Sequence, residues 1–347
     1  MKIIVDNKIP FIREAAEHVA DEVVYAPGHE FTPELVKDAD ALIIRTRTRC
    51  DRHLLEGSSV RFIATATIGF DHIDTEYCRQ AGIQWANAPG CNAPSVAQYL
   101  HSVLLLLQMK RDKPLAGLTL GIVGVGHVGS LIAEVGSDMG MKVLLNDPPR
   151  EEQEGPGRFC PLSQLAEESD ILTFHVPLVR TGNYPTFHLA DEDFFRSLRR
   201  KPVFINTSRG EVHDTQALLS ALAEERIADA VIDVWENEPD IDRNLLQQAF
   251  IGTPHIAGYS ADGKANASRM ALTAVCKFFG IKPDFHIAPP KPLNPVITAA
   301  NETEAYLQMY DPRRDSEALK AHPEQFEQLR GDYPLRRERQ AYLFRHV

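Results

Sequence analysis

The sequence predicts an α/β protein, with two doubly wound parallel sheets followed by a small C-terminal module. Three observations carry this prediction. Short apolar runs alternate with amphipathic stretches over the first 280 residues, a turn-rich break falls near residue 90, and the texture changes after Gly280.

Strand-like runs cover 2–6, 22–26, 41–45, 61–66 and 83–87, then 119–124, 142–147, 171–176, 202–208, 229–235 and 251–256. Helix-like stretches separate them, which implies βαβ units with parallel pairing. Eleven strands are too many for one ordinary sheet of this kind, so they divide between two. The break is Asn87-Ala88-Pro89-Gly90-Cys91-Asn92-Ala93-Pro94, a run of turn formers. Pro94-Ser95 then open a helix with Val96, Leu100, Val103, Leu104 and Leu107 on one face, read as a bridge into a second domain. A second bridge is expected after His255, where Ser260-Ala261-Asp262-Gly263 precede a helix over about 262–279 that packs back on the first domain.

Pro283, Pro289, Pro290, Pro292 and Pro295 mark an extended linker. The tail keeps Tyr306, Tyr310, Phe326, Tyr333 and Tyr342 among charges of both signs, the composition of a folded module. The expected division is 1–93 with 257–280, then 94–256, then 281–347.

The net charge of −11 weighs against partners such as nucleic acid or an anionic membrane. Cys50, Cys78, Cys91, Cys160 and Cys276 are scattered and contain no Cys-x-x-Cys, as expected of reduced thiols in a cytoplasmic protein. Met1-Lys2-Ile3-Ile4-Val5-Asp6 runs straight into a strand without the pattern of a secretory leader. The most apolar helix candidate, 96–109, is interrupted by Gln98, His101 and Gln108 and is too short to cross a bilayer. The histidines and cysteines show no metal-ligand spacing, so no metal is expected.

The strand-like Leu118-Thr119-Leu120-Gly121-Ile122-Val123 leads into Gly124-Val125-Gly126-His127-Val128-Gly129, and a helical pattern follows. Gly124 permits a tight turn, Gly126 lets a pyrophosphate approach the backbone, and Gly129 allows close helix packing. The helix start at His127 and Val128 offers N–H groups to phosphates. Asp147 ends the next strand, 147 − 129 = 18 residues beyond the last glycine. A carboxylate there accepts ribose hydroxyls and repels a 2′-phosphate, which favours NAD over NADP. Arg150 is the residue that would receive such a phosphate.

Three strand ends each carry one ionisable residue: Arg209 in Asn206-Thr207-Ser208-Arg209-Gly210, Glu238 in Asp233-Val234-Trp235-Glu236-Asn237-Glu238-Pro239, and His255 in Thr253-Pro254-His255. Strand carboxyl ends line the ligand crevice of such sheets. His255 suits a proton acceptor, Glu238 can fix its tautomer, and Arg209 can grip a carboxylate bidentately. Singly, each has a structural reading: a satisfied histidine, a solvated turn glutamate, a surface arginine. Together, behind a dinucleotide turn, they point to hydride transfer from a 2-hydroxy acid. His127, His175 and His188 read as structural.

With Thr253-Pro-His-Ile-Ala-Gly258 added, these motifs resemble the D-isomer-specific 2-hydroxyacid dehydrogenase family. Thr65-Ala-Thr-Ile-Gly-Phe-Asp-His-Ile-Asp74, Ala88-Pro-Gly-Cys-Asn-Ala93 and His255-Ile-Ala-Gly-Tyr259 are similar to its branch acting on 4-phospho-D-erythronate. The tail segments Tyr310-Asp-Pro-Arg-Arg-Asp315 and Leu329-Arg-Gly-Asp-Tyr-Pro-Leu-Arg-Arg-Glu338 resemble that branch's dimerisation domain. The resemblance implies a flavodoxin-like substrate domain, a Rossmann NAD domain and a homodimer formed through the tail. It implies NAD-dependent oxidation of 4-phospho-D-erythronate to a 2-oxo acid on the way to pyridoxal 5′-phosphate. Arg209 and Glu238 would be active-site residues and His255 the proton acceptor. Asp147, Asp233 and Gly258 correspond to cofactor contacts, as does Val176, which offers only backbone or packing. Thr46, Thr67 and Tyr259 correspond to substrate contacts. In Ile44-Arg45-Thr46-Arg47-Thr48-Arg49, Arg45 or Arg47 is expected to meet the phosphate, though alternating arginines also decorate solvated edges. Two alternatives stand beside this: a relative acting on another acid such as 3-phosphoglycerate, and an NAD-sensing binding protein on the same fold.

Overall fold

All eleven expected strands form in the computed structural model, which describes Met1–Val347. They are β1 (Lys2–Asp6), β2 (Glu22–Ala26), β3 (Ala41–Ile44), β4 (Phe62–Thr65), β5 (Gln84–Ala86), β6 (Thr119–Val123), β7 (Lys142–Asn146), β8 (Ile171–Phe174), β9 (Val203–Asn206), β10 (Asp229–Ile232) and β11 (Ile251–Gly252). Two more, β12 (Val296–Ala299) and β13 (Leu343–His346), pair in the tail. By contact the chain divides into two units: Met1–Asn92 with Ser260–Leu293, and Ala93–Tyr259 with Asn294–Val347.

In the first unit the sheet order is β2-β1-β3-β4-β5, all parallel. This is the flavodoxin-like order. Ile3, Ile4, Val5, Leu42 and Ile43 are buried on both sheet faces, which is why β1 and β3 read as unbroken apolar runs. The helix Ala261–Phe279 starts where the Ser260 hydroxyl accepts the Gly263 N–H at 2.7 Å, and it ends at a left-handed Gly280. Its Ala265, Ala271, Leu272 and Val275 share a core with Phe62 and Ala64.

The second unit holds a parallel sheet of order β11-β10-β9-β8-β6-β7. The order reverses at β6, so the crevice of this sheet opens where β6 and β8 end. The helix Ala93–Arg111 buries Tyr99, Leu100, Val103 and Leu107 in one core with Ile122, Ile205 and Val231. Strands β8, β9, β10 and β11 stop short of the expected 176, 208, 235 and 256. The residues beyond them form the strand-end loops, and in β11 Pro254 has no N–H to extend the ladder.

The tail contributes the helices Glu302–Met309, Pro312–Ala321 and Phe326–Gly331. Leu319 and Phe326, 0% and 1% exposed, join Trp235, Leu245 and Leu246 in the second unit's core. The Ser316 hydroxyl accepts the Gly252 N–H at 3.0 Å, so a tail helix covers the otherwise open edge at β11.

Candidate active site

The β6–helix turn has the shape a dinucleotide needs. Gly124 has φ +87°, and a Cβ there would lie 2.7 Å from the His175 carbonyl. At Gly129 a Cβ would meet the Gly124 oxygen at 2.0 Å, so only glycine lets this helix close on the turn. Gly126, by contrast, has open space where a side chain would stand, and no side chain caps the helix His127–Asp138 that begins there. Uncapped N–H groups facing open space suit a pyrophosphate. Asp147 accepts the Val125 N–H at 2.8 Å and caps the following helix through the Arg150 N–H at 3.1 Å, which fixes its carboxylate beside the turn. The Arg150 guanidinium is engaged by Glu154 at 2.6 Å and by the Val125 carbonyl. His127 is exposed at the helix start, while burial pushes His175 down to about 3, so its ring is a neutral partner of Thr173 at 2.9 Å. His188 bonds Glu236 at 2.8 Å.

At the end of β9, the Asn206 carboxamide builds the Arg209 turn. Its Oδ1 accepts the Ser208 N–H at 3.0 Å and hydroxyl at 2.8 Å, and its Nδ2 donates to the Arg209 carbonyl at 2.8 Å. The Arg209 guanidinium donates to the Ser208 carbonyl at 2.7 Å and pairs with no carboxylate. A Cβ on Gly210 would fall 1.9 Å from the Trp235 carbonyl oxygen, so this loop and the Glu238 loop touch backbone to backbone. Gly210→Ala is therefore expected to cost about 1–3 kcal/mol or more and to impair turnover, since the obstacle is backbone and cannot rotate away. Urea unfolding checks this; wild-type stability would show that the loops can part.

Beyond β10, Glu238 Oε1 accepts the Trp235 N–H at 2.9 Å and Oε2 meets His255 Nδ1 at 2.8 Å. Burial raises the Glu238 carboxyl, but the His255 hydrogen bond and charge, the Trp235 N–H and Arg330 outweigh it and leave it below the usual carboxylate range. An ionised carboxylate only accepts, so Nδ1 carries the proton and Nε2 is the ring's acceptor. Glu238→Gln is expected to move the acidic limb of the kcat profile to lower pH. The neutral amide no longer stabilises the imidazolium, so the ring loses its proton sooner as pH rises. An unmoved limb would break the pairing.

His255 itself has φ +57°, a left-handed conformation that costs about 1 kcal/mol or more for a non-glycine residue. Asp233 holds it there. Its backbone oxygen accepts the His255 N–H at 2.8 Å, Oδ1 the Ile256 N–H at 2.8 Å and Oδ2 the Ala257 N–H at 3.0 Å. Thr253 donates its hydroxyl to Oδ1 at 2.6 Å. Asp233 thus clamps the loop that continues to Gly258 and Tyr259.

The family model described as D-isomer specific 2-hydroxyacid dehydrogenase, NAD binding domain, matches residues 106–257. A curated relative from Bacteroides fragilis, named erythronate-4-phosphate dehydrogenase, is 65% identical over 342 residues, 99% of this chain and 98% of the relative. The chain belongs to the erythronate-4-phosphate dehydrogenase family. Another member, from Porphyromonas gingivalis, is 45% identical and covers 99% of this chain and 95% of its own. Among solved structures, an NAD+-bound 3-phosphoglycerate dehydrogenase from Entamoeba histolytica matches at 28% identity with TM-score 0.66, covering 83% of this chain and 98% of its own. The family model spans the glycine turn, Arg209, Glu238 and His255, the part of this dehydrogenase that serves NAD.

In the first unit Arg45, Thr46 and Thr67 lie beyond the carboxyl ends of β3 and β4. Thr67 shares a hydroxyl contact with Thr65 at 2.6 Å and donates to the Gly69 carbonyl at 2.9 Å. Arg45 lies 3.4 Å from Asp6, and Arg47 is exposed. Two residues escaped sequence reasoning. Lys264 has an ammonium lowered by burial and by the Arg45 charge, and Arg330 reaches Glu238 from the tail. Nothing local in the sequence marks either, because each acts on residues far away along the chain.

Proposed function

We propose that this NAD-dependent dehydrogenase oxidises 4-phospho-D-erythronate to (R)-3-hydroxy-2-oxo-4-phosphooxybutanoate in pyridoxal 5′-phosphate biosynthesis. One observation carries the substrate: the 65% identity, over 99% of the chain and so through the tail, with a relative named for that acid. His255 Nε2 accepts the proton of the C2 hydroxyl, Nδ1 being held by Glu238. NAD held at the glycine turn would supply the acceptor for the C2 hydride. Glu238 stabilises the imidazolium that results, and Arg209 grips the C1 carboxylate and orients C2. Asp147 serves the ribose, the turn from Gly124 to Gly129 the pyrophosphate, and Val176, Asp233 and Gly258 line the cofactor. Thr46, Thr67 and Tyr259 contact the substrate, and Arg45, with Lys264 beside it, takes the phosphate.

NADH absorbance with purified protein tests the substrate. 4-Phospho-D-erythronate should be turned over well ahead of 3-phosphoglycerate and D-lactate; robust turnover of another acid and none of this one overturns the assignment. The enzyme works in the cytoplasm as a homodimer formed through 281–347, and no helix is long and apolar enough to cross a membrane. Light scattering that found a monomer at working concentration would remove the dimer.

A further inference from the structure

Two tail arginines converge on the loop that carries His255. Arg330 lies in the helix Phe326–Gly331, and its Nη1 stands 3.7 Å from Glu238 Oε2, the oxygen that pairs with His255 Nδ1. Its Nε donates to the Tyr259 hydroxyl at 3.1 Å. The two side chains of the ion pair are only 30% and 18% exposed, so solvent screens their attraction incompletely. Arg336 is buried and donates through Nη2 to the Ala257 carbonyl at 2.6 Å. Its guanidinium carbon sits 4.0 Å from the centre of the Tyr310 ring. Tyr310 and Tyr333 each donate to Asp315 Oδ2 at 2.9 Å, which closes the cage around that cation. The loop 255–259 is therefore held at its middle by Arg336 and at its far end by Arg330.

We infer that the C-terminal tail is a working part of the active site, with Arg330 as a positioning residue that keeps Glu238, His255 and Tyr259 in one frame. A guanidinium serving only the surface would face solvent; this one spends both contacts on the proton-acceptor assembly. The inference uses the proposed reaction only for its kinetic readout.

The charged groups around His255 are Glu238, Asp233 beneath the loop, Arg330, Arg336 at the middle of the loop, and Glu327 behind Arg330. Deleting the Arg330 charge removes the cation beside Glu238 while Arg336 stays in place, so the ring meets a less neutralised carboxylate and keeps its proton to higher pH. A unit charge a few ångströms away, weakened by partial exposure, corresponds to about half to one pH unit. The direction is opposite to that of Glu238→Gln, which separates loss of a cation from general damage to the loop.

The test uses the full-length enzyme with Arg330→Met and Arg330→Lys. Histidine-selective NMR follows the His255 ring, assigned by the signal missing in His255→Asn, and kcat is measured against pH. In Arg330→Met the ring's protonation midpoint and the acidic limb should both rise by about half to one pH unit, with NAD affinity and circular dichroism unchanged. Arg330→Lys should restore the midpoint. A midpoint that stays or falls in Arg330→Met overturns the inference, as does a lysine variant that behaves like the methionine one. Arg330→Gln carries the same expectation should the methionine variant fail to fold. The NMR arm needs no substrate, so absent turnover of 4-phospho-D-erythronate would sink the substrate assignment and leave this one standing.

Discussion

Replacing His255 by Asn should lower kcat by about 10²–10⁴-fold while NAD binding stays nearly unchanged. Asparagine is the informative substitute because it tolerates the left-handed backbone that His255 occupies at φ +57°, so the loop can keep its shape. The backbone bonds to Asp233 involve no side-chain atom of residue 255 and survive the change. What disappears is the Nε2 lone pair and, in the proposed reaction, the imidazolium that Glu238 would steady. Single-turnover NADH formation reads the chemistry, and a fluorescence titration reads the cofactor. A loss below tenfold would move the proton acceptor to another group.

Arg209→Met should lower kcat/KM for the acid by about 10²–10³-fold, the effect of losing one partner of a carboxylate–guanidinium pair worth about 3–4 kcal/mol. Methionine keeps an unbranched stem and deletes the fork. In the structure that fork makes one bond, to the Ser208 carbonyl, and no ion pair, so its charge is available to an anion. The discriminating measurement is a cycle with the C1 carboxamide of the same substrate. If Arg209 grips the carboxylate, the penalty of the substitution should nearly vanish with the amide. An equal penalty for both substrates would assign Arg209 to the shape of the loop.

Much of this site is legible locally. Gly124 to Gly129 codes its turn within six residues, and Asp147 closes the next strand, because a strand–turn–helix unit is set by short-range sterics. The apolar pattern overshoots the strand ends by two to four residues at 176, 208, 235 and 256, since residues that bury in loops look like strand continuation. Asp233 shows the limit more sharply. By resemblance it is a cofactor contact, yet its carboxylate also holds the N–H groups of Ile256 and Ala257, more than twenty residues on. Backbone partners of that kind leave no periodicity to read. The tail illustrates the same point: its aromatic content announces a folded segment, but not that Leu319 and Phe326 complete the second unit's core.

The sequence by itself determined the two parallel sheets, the dinucleotide turn and the residue types for holding an acid and moving a proton, because hydrophobic period, glycine sterics and strand-end placement are local properties. Only the tertiary structure decided which groups meet. Gly210 against Trp235, Asp233 beneath His255 and Arg330 on Glu238 join positions separated by 22 to 92 residues, where the pairing depends on how the elements pack rather than on any neighbour in the chain.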